Sequence, residues 1–514
     1  MNAARGGQGP LTSSTMLALG GCIGVMASTN GSPAVRADAS QQMLMTLDTD
    51  SADQLERRYR ARSLWLEMVP EPLRPRPALS GNITCDVAVV GAGFTGLWTA
   101  YYLKRLQPDA RIVVVEREIA GFGPSGRNGG WVSSKIAGSW DVYAARAGRD
   151  AVVRAERTTY QTVDEIGHVV AQESIDCGFV KSGMLSVATN DPQAARLRAD
   201  LEIARVHGIG AEDLRQLERS DVDDLVHLPD CRLALFSPHG ARVDPARLAR
   251  GLAAACERLG VTIYERTEAL GIARGQVRCP GGVLSADHVI RATESYTTQL
   301  PGEHMRYLPL YSLMIATEPL PSSVWEEIGW HDGLLIRDRH HLFFYAQRTV
   351  DGRIAIGGRG APYRLFEPIG ETSERDTGVR ARLEETVRRQ FPAAAGAAIT
   401  HHWGGPLAVP RDWSMAVTYD RVTGLGWAGG YSGHGVVAAN ISGRTLADLV
   451  LGRDTDLVRL PWVGHRARTW EPEPLRYLAS KAIVAVLASA DRYEDRSDRP
   501  ARRTRALTPV MPPS

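Results

Sequence analysis

Three glycines, Gly91, Gly93 and Gly96, stand in a G-x-G-x-x-G spacing within VAVVGAGFTGLWTA, residues 87–100. The first permits a tight turn. The second removes a Cβ from the path of a diphosphate, and the third lets a helix pack closely on a strand. Glu116 follows Gly96 by 20 residues, where an acid can accept hydrogen bonds from the hydroxyls of an adenosine ribose. Far along the chain a second glycine turn, Gly429-Gly430-Tyr431-Ser432-Gly433-His434-Gly435, runs into another helical stretch. A helix N-terminus there offers unpaired N–H groups and positive potential without needing a proton. Besides the Tyr431 phenol, His434 is the one titratable side chain in that turn. A lone glycine triplet is weak. The triplet, its flanking apolar runs and the acid in register point to a bound dinucleotide.

The flanking pattern supplies the elements that such chemistry needs. Asp86–Val90 reads as a buried strand, Leu97–Leu106 as a helix and Arg111–Val115 as a second strand. This is a βαβ unit with the continuous apolar strands of a parallel sheet. The helix should meet the sheet with Gly96, Thr99, Ala100, Leu103 and Leu106. A long polar helical stretch follows over 142–177, and 243–260 reads as a helix with Asp244 as N-cap and Pro245 at its first position. VTIYER and HVIRAT are short strands in the parallel style. From about Tyr307 to Asp412 the pattern changes to alternating strands such as LYSLMIATE, HLFFYAQR and RIAIGG, as in an antiparallel sheet. In HLFFYAQR, alternation puts His341, Phe343 and Tyr345 on one face, and Leu342, Phe344 and Ala346 on the other.

Composition narrows the function classes. The 514 residues carry 44% hydrophobic and 23% charged residues and a net charge of +2, with no basic stripe for nucleic acid. None of the six cysteines forms a CxxC pair or a metal-type spacing with histidine. The pairs His340-His341 and His401-His402 would point to opposite faces of a strand, so no metal site is expected and the thiols read as reduced and cytoplasmic. Met16–Ser28 resembles a weak signal peptide, but glycines interrupt it, and a disordered extension is the favoured reading. The run 69–77, VPEPLRPRP, reads as an extended connector, with order beginning at Cys85. Leu475–Ala490 reads as a helix packed on the protein body rather than on a membrane, followed by a solvated tail.

EREIAGFGPSGRNGGWVSS, residues 116–134, is a long glycine-rich loop rarely found at this place in a nicotinamide site. With VVGAGFTGLWTAYYL, GFGPSGRNGG, IATEPL, GRIAIGGRG and GGYSGHGVVAANISGRTLADLV, the sequence resembles the FAD-dependent oxidoreductases of the D-amino acid oxidase and glycine oxidase family. It is most similar to the branch containing γ-glutamylputrescine oxidase, over about Ala61–Arg492. The resemblance implies an α/β fold: a Rossmann-type FAD-binding domain with a discontinuous antiparallel-sheet substrate domain, as in D-amino acid oxidase. The expected division is 1–50 extension, 51–84 helix and connector, 85–180, 231–304 and 413–465 FAD-binding, 181–230 and 305–412 substrate domain, and 466–514 C-terminal helix and tail.

It also implies site residues. Gly91, Gly93, Phe94, Thr95, Gly96, Glu116, Arg117, Ser125, Arg127, Asn128, Gly129, Gly430, Gly433, His434, Gly435 and Val436 are expected to touch FAD, with Arg127 neutralising phosphate charge. Tyr345, Arg348, Arg359 and Trp403 are expected at the substrate, the arginines binding a carboxylate, with His434 and Tyr345 as catalytic candidates. No cysteine follows Cys279 and the first loop has no histidine, so the FAD is expected to be non-covalent. The implied reaction is oxidation of the C–N bond of a small-molecule amine or amino acid. Oxygen or another acceptor takes the electrons. A dehydrogenase acting on C–OH and a non-catalytic flavin-binding module are the alternatives. Oligomeric state is left open.

Overall fold

The computed structural model describes residues 51–365, 367 and 369–507. The chain divides into units Met1–Gln54 and Leu55–Ser514, and the second is described here. The expected extension over 1–50 and its apolar stretch lie outside the described residues. Two large sheets carry the architecture. In the first, five strands run parallel in the order Leu425–Gly429, Gly282–Arg291, Ile83–Val90, Ile112–Val115, Thr262–Tyr264. A hairpin of Gly271–Ala273 and Gln276–Cys279 extends one edge, and Ala416–Asp420 pairs antiparallel with Leu425–Gly429. Val87 and Val89 pack into the core formed with the Phe94–Leu106 helix, whereas Ala88 and Val90 pack on the opposite side with Val113, Val115 and Val289. Burial on both faces is why these strands read as unbroken apolar runs.

The second sheet has eight strands, in the order 399–409, 308–317, 354–358, 344–348, 335–338, 184–188, 233–237, 215–217. All neighbours are antiparallel except Leu335–Asp338 against Met184–Ala188. Leu233–Ser237, expected in the FAD-binding part that begins at 231, pairs with Met184–Ala188 in this sheet. The sheet therefore extends past the expected boundary at 230. One face, with Leu185, Val187, Ile336, Phe344, Ala346, Ile354 and Ile356, packs against the Thr377–Gln390 helix through Val379, Leu383 and Val387. The other face turns toward the first glycine-rich loop.

Two terminal segments differ from expectation. The connector reaches the core: its Val69 and Leu73, with Leu64, Trp65 and Leu66 just before it, are buried with Ile119, Met314 and Trp403. The prolines hold it extended, and Arg76 locks it to Glu257 and Glu265 at 2.7 Å each. The C-terminal helix runs over Leu475–Ser497, beyond its expected end. The charged residues read as a solvated tail are partly buried, because they satisfy the turn before the Phe344–Arg348 strand and a side chain of the Asp191–Val206 helix. Asp491 accepts from the His341 and Leu342 N–H groups at 2.9 Å, and Glu494 pairs with Arg196 at 2.9 Å. His341, Asp491 and Glu494 bring possible ligand atoms within 4.8 Å of one another, and these partners account for the cluster as a docking network. Among the described residues no helix is long and apolar enough to cross a membrane.

A candidate active site at two helix N-termini

The Ile83–Val90 strand ends at Gly91, whose φ of 104° suits glycine, and where a Cβ would lie 2.7 Å from the Ala292 carbonyl oxygen. A Cβ on Gly96 would lie 1.9 Å from the Gly91 oxygen, so the third glycine sets how closely helix and strand approach. The Phe94–Leu106 helix begins at Gly93 without a side-chain cap from that residue. Phe94 donates its N–H to Ser125 Oγ at 2.9 Å, which ties the long loop to this helix start. Glu116 accepts from the Ala92 N–H (2.8 Å) and the Glu118 N–H (3.0 Å). Burial raises its carboxyl above the usual range despite those donors. Arg117 donates to Gln299 Oε1 at 2.9 Å and sits 4.9 Å from the Tyr296 ring centroid.

At the second junction, Gly430 and Gly433 have φ of 81° and 100°, and the Gly435–Val450 helix starts from His434 with no side-chain cap. Val436 is buried just inside it. Thr95 Oγ1 and Tyr431 Oη lie 2.8 Å apart, so the two junctions meet. The helices behind them approach closely, since a Cβ on Gly443 would lie 2.6 Å from Trp98 Cβ. Glu294 organises this turn and was missed in the sequence. It accepts from the N–H groups of Gly430 (3.1 Å), Tyr431 (3.0 Å) and Ala408 (3.1 Å). Burial pushes its carboxyl up to about 7. The available signal was an acid directly after the HVIRAT strand, at the strand ends where ligands of such sheets bind.

The loop between the junctions is braced by its own side chains. Asn128 donates to the carbonyls of Pro124 (3.2 Å) and Ser125 (2.8 Å) and accepts from the Gly130 N–H (2.8 Å). Arg127 does not point along the loop toward a phosphate. Its guanidinium is buried against Glu374 (2.7 Å), the Gly404 carbonyl (3.1 Å) and the Tyr296 hydroxyl (3.1 Å). The expected phosphate role is corrected accordingly: those acceptors consume its donors. Trp403 donates its indole N–H to the Arg127 carbonyl at 3.0 Å and packs edge-on against Trp65. It is a buried brace for the loop.

Above the loop lies the second sheet. Tyr345 sits against Gly129, where a Cβ would lie 2.6 Å from its ring, and its hydroxyl is 2.7 Å from Ser312 Oγ. Gln347, on the same face, donates to the Gly129 carbonyl at 2.6 Å. Burial pushes the Tyr345 phenol up to about 12, so it stays protonated at neutral pH. Two expected substrate residues lie elsewhere. Alternation sends Arg348 to the opposite face with Phe344 and Ala346, where it stacks on Trp325 at 4.3 Å. Arg359 is spent on Asp338 (2.5 Å), Thr386 Oγ1 (3.1 Å) and the Leu342 carbonyl (3.1 Å).

Arg337, by contrast, pairs with Tyr345 across neighbouring strands, so both side chains share the loop-facing side. Its charge and that of Lys135, just beyond the Trp131–Ser133 strand, both act on His434. Burial first, and then these two cations, hold the imidazole down to about 3, hence neutral. The Arg337 charge pulls Lys135, an exposed residue, down to about 8. Sequence reading missed both cations, because neither stands in a recognisable motif.

The residues fit FAD. Two helix starts without caps of their own converge, their glycines keep main chain clear where a Cβ would collide, and an acid ends the second strand. Gly91–Gly96 with Ser125 would hold the diphosphate, Glu116 the ribose, and Gly433–Val436 the flavin end.

Comparison with known proteins agrees. Residues 86–449 match the family model described as FAD dependent oxidoreductase (DAO). The chain is 29% identical over 384 residues to γ-glutamylputrescine oxidoreductase of Escherichia coli K12, covering 74% of this chain and 86% of that protein. It is 27% identical over 393 residues to the probable oxidoreductase OrdL of Haemophilus influenzae, with the same coverage. Among solved structures, glycine oxidase from Geobacillus kaustophilus superimposes with a TM-score of 0.61 at 19% identity, covering 72% of this chain and 96% of its own. L-proline dehydrogenase from P. horikoshii gives 0.61 at 18%, covering 75% and 98%.

Proposed function

The chain belongs to the FAD-dependent oxidoreductase family matched over residues 86–449, and from that membership we propose that it oxidises the C–N bond of an amine or amino acid. Relatives named for γ-glutamylputrescine and glycine support that choice. When bound, FAD supplies a hydride acceptor at N5 and an outlet of electrons to oxygen, with hydrogen peroxide as product. The chain holds it without a covalent bond, in a cytoplasmic setting.

The observation that carries the reading is that two helix starts meet, with Thr95 Oγ1 and Tyr431 Oη 2.8 Å apart, and that the Tyr345 ring packs over Gly129 of the intervening loop. His434 is neutral, Tyr345 is protonated, and Lys135 and Arg337 are cations beside them. A positive field disfavours a substrate ammonium, so the amine binds as the free base. Its nitrogen lone pair then forms the C=N bond as hydride leaves the α-carbon, and no protein base has to remove a proton at that step. The Gly435–Val450 helix start supplies positive potential where negative charge develops. The face carrying Tyr345 and Gln347 covers the loop and excludes water until the imine leaves to be hydrolysed.

The test is a panel of amines, amino acids and hydroxy acids, read by peroxide release and by anaerobic loss of flavin absorption near about 450 nm. Turnover with amines alone is expected. Bleaching by hydroxy acids without any response to amines overturns the reading.

A further inference from the structure

The Leu475–Ser497 helix packs on the body through Arg476, Ser480, Leu487, Ala490, Asp491 and Glu494. Its three acids are spent on the body as well. Asp491 accepts from the His341 and Leu342 N–H groups, Glu494 pairs with Arg196, and Asp495 pairs with His340 at 2.8 Å. The outward side differs in kind. At about 3.6 residues per turn, Leu475, Leu478, Ala482 and Ala485 follow one another along it, all exposed, with Lys481 as the charge among them. Leu475 is 59% and Leu478 58% exposed. Met305, next to the His304 carbonyl that Arg476 holds at 3.3 Å, adds a third exposed apolar side chain at this end. Farther along the same side come Arg492, Tyr493 and Arg496, all exposed. The Arg502–Leu507 turn lays Arg503 over the Tyr493 ring at 5.4 Å and against Ser489 Oγ. Arg492, Arg496, Arg499, Arg502 and Arg505 are exposed and form no ion pair among the described residues. One helix thus turns its acids inward and its cations and leucines outward.

We propose that this outward side docks on an anionic lipid bilayer, the leucines entering the acyl boundary and the arginines meeting the headgroups. Charge complementarity selects that occupant. The side is apolar at one end, cationic at the other and carries no acid, which is what an anionic lipid surface recognises. A second copy of the helix fits it poorly. Laid parallel, it would set unpaired arginines against arginines; laid antiparallel, it would set Leu475 and Leu478 against Arg492 and Arg496. The helix lies in the interface plane and does not cross it, so the attachment is peripheral and sensitive to salt. It does not depend on which bond the enzyme oxidises.

The test floats the FAD-loaded full chain with vesicles of equimolar phosphatidylglycerol and phosphatidylcholine, or of phosphatidylcholine alone. Binding is expected with the anionic vesicles only, and should weaken steeply toward about 1 M salt. The double variants Leu475→Ser/Leu478→Ser and Arg492→Gln/Arg496→Gln should each lower the partition coefficient roughly tenfold or more. Val422→Ser, at a 77% exposed position elsewhere, should leave it unchanged. Because every one of these positions is exposed, melting temperature and FAD content should match wild type, so that a loss of binding reports on the surface. Flotation with neither vesicle overturns the proposal. So does equal flotation with both, or anionic binding that survives both double variants. A concentration-dependent dimer in sedimentation velocity, abolished by the leucine variant and unaccompanied by vesicle binding, would assign the face to a second copy and overturn it too.

Discussion

Arg127 and Arg337 stand in contrasting surroundings in sequence and structure. Arg127 sits in the glycine-rich loop, where neighbours suggest phosphate, yet its buried donors end on Glu374, Gly404 and Tyr296. Arg337 sits in an unremarkable strand, and its Nε has no hydrogen-bond partner. For a side chain, the acceptors within reach decide its function, and these are set by residues far away in sequence. Arg127→Leu should leave Glu374 facing Arg62 alone and cost about 3–5 kcal/mol of stability. Denaturant unfolding checks this. FAD affinity, measured by fluorescence titration, should change less than tenfold, whereas a phosphate ligand would give a large affinity loss with little loss of stability.

Among elements, the C-terminal helix shows how charge docks a segment that composition marks as solvated. His340 lies between Asp338 (2.5 Å) and Asp495 (2.8 Å), the latter from that helix, with Gln193, Arg359 and Arg389 around them. Burial works against its charge, but the two carboxylates prevail and hold it up at about 9. Because the folded value lies above the unfolded one of about 6.5, the charged imidazole stabilises fully below that pH. The contribution is lost as pH rises through about 9. Thermal melts of wild type and His340→Gln between pH 6 and 10 should therefore differ most at the acidic end and converge above pH 9. A difference that grows with pH would contradict the assignment.

For the whole molecule, the buried stretch around Leu64–Leu73 joins the loop to the second sheet. Trp65 is 1% exposed, donates its indole N–H to the Asn128 carbonyl at 2.8 Å, and meets Trp403 edge-on at 6.0 Å. Trp403 in turn holds the Arg127 carbonyl. Trp65→Ala should cost about 3–5 kcal/mol by opening a cavity. It should also lower FAD retention during gel filtration, since the loop that would line the cofactor loses one support. Unaltered stability would show that this arm is an accessory to the fold.

Local pattern by itself determined the βαβ unit, both glycine turns, the Asp244 cap, which accepts the Ala246 and Arg247 N–H groups at 3.0 Å, and the strand alternation that set Tyr345 apart from Phe344. These depend on neighbours a few residues apart, where backbone sterics and burial period are readable from one chain segment. Tertiary structure alone decided that Glu294 holds the second turn, that Leu64–Leu66, Val69 and Leu73 are core, that Leu233–Ser237 joins the second sheet, and which arginines remain unpaired. Hydrogen bonds and ion pairs between such groups link positions up to hundreds of residues apart. Their energy depends on distance and burial in space, which no local spacing encodes.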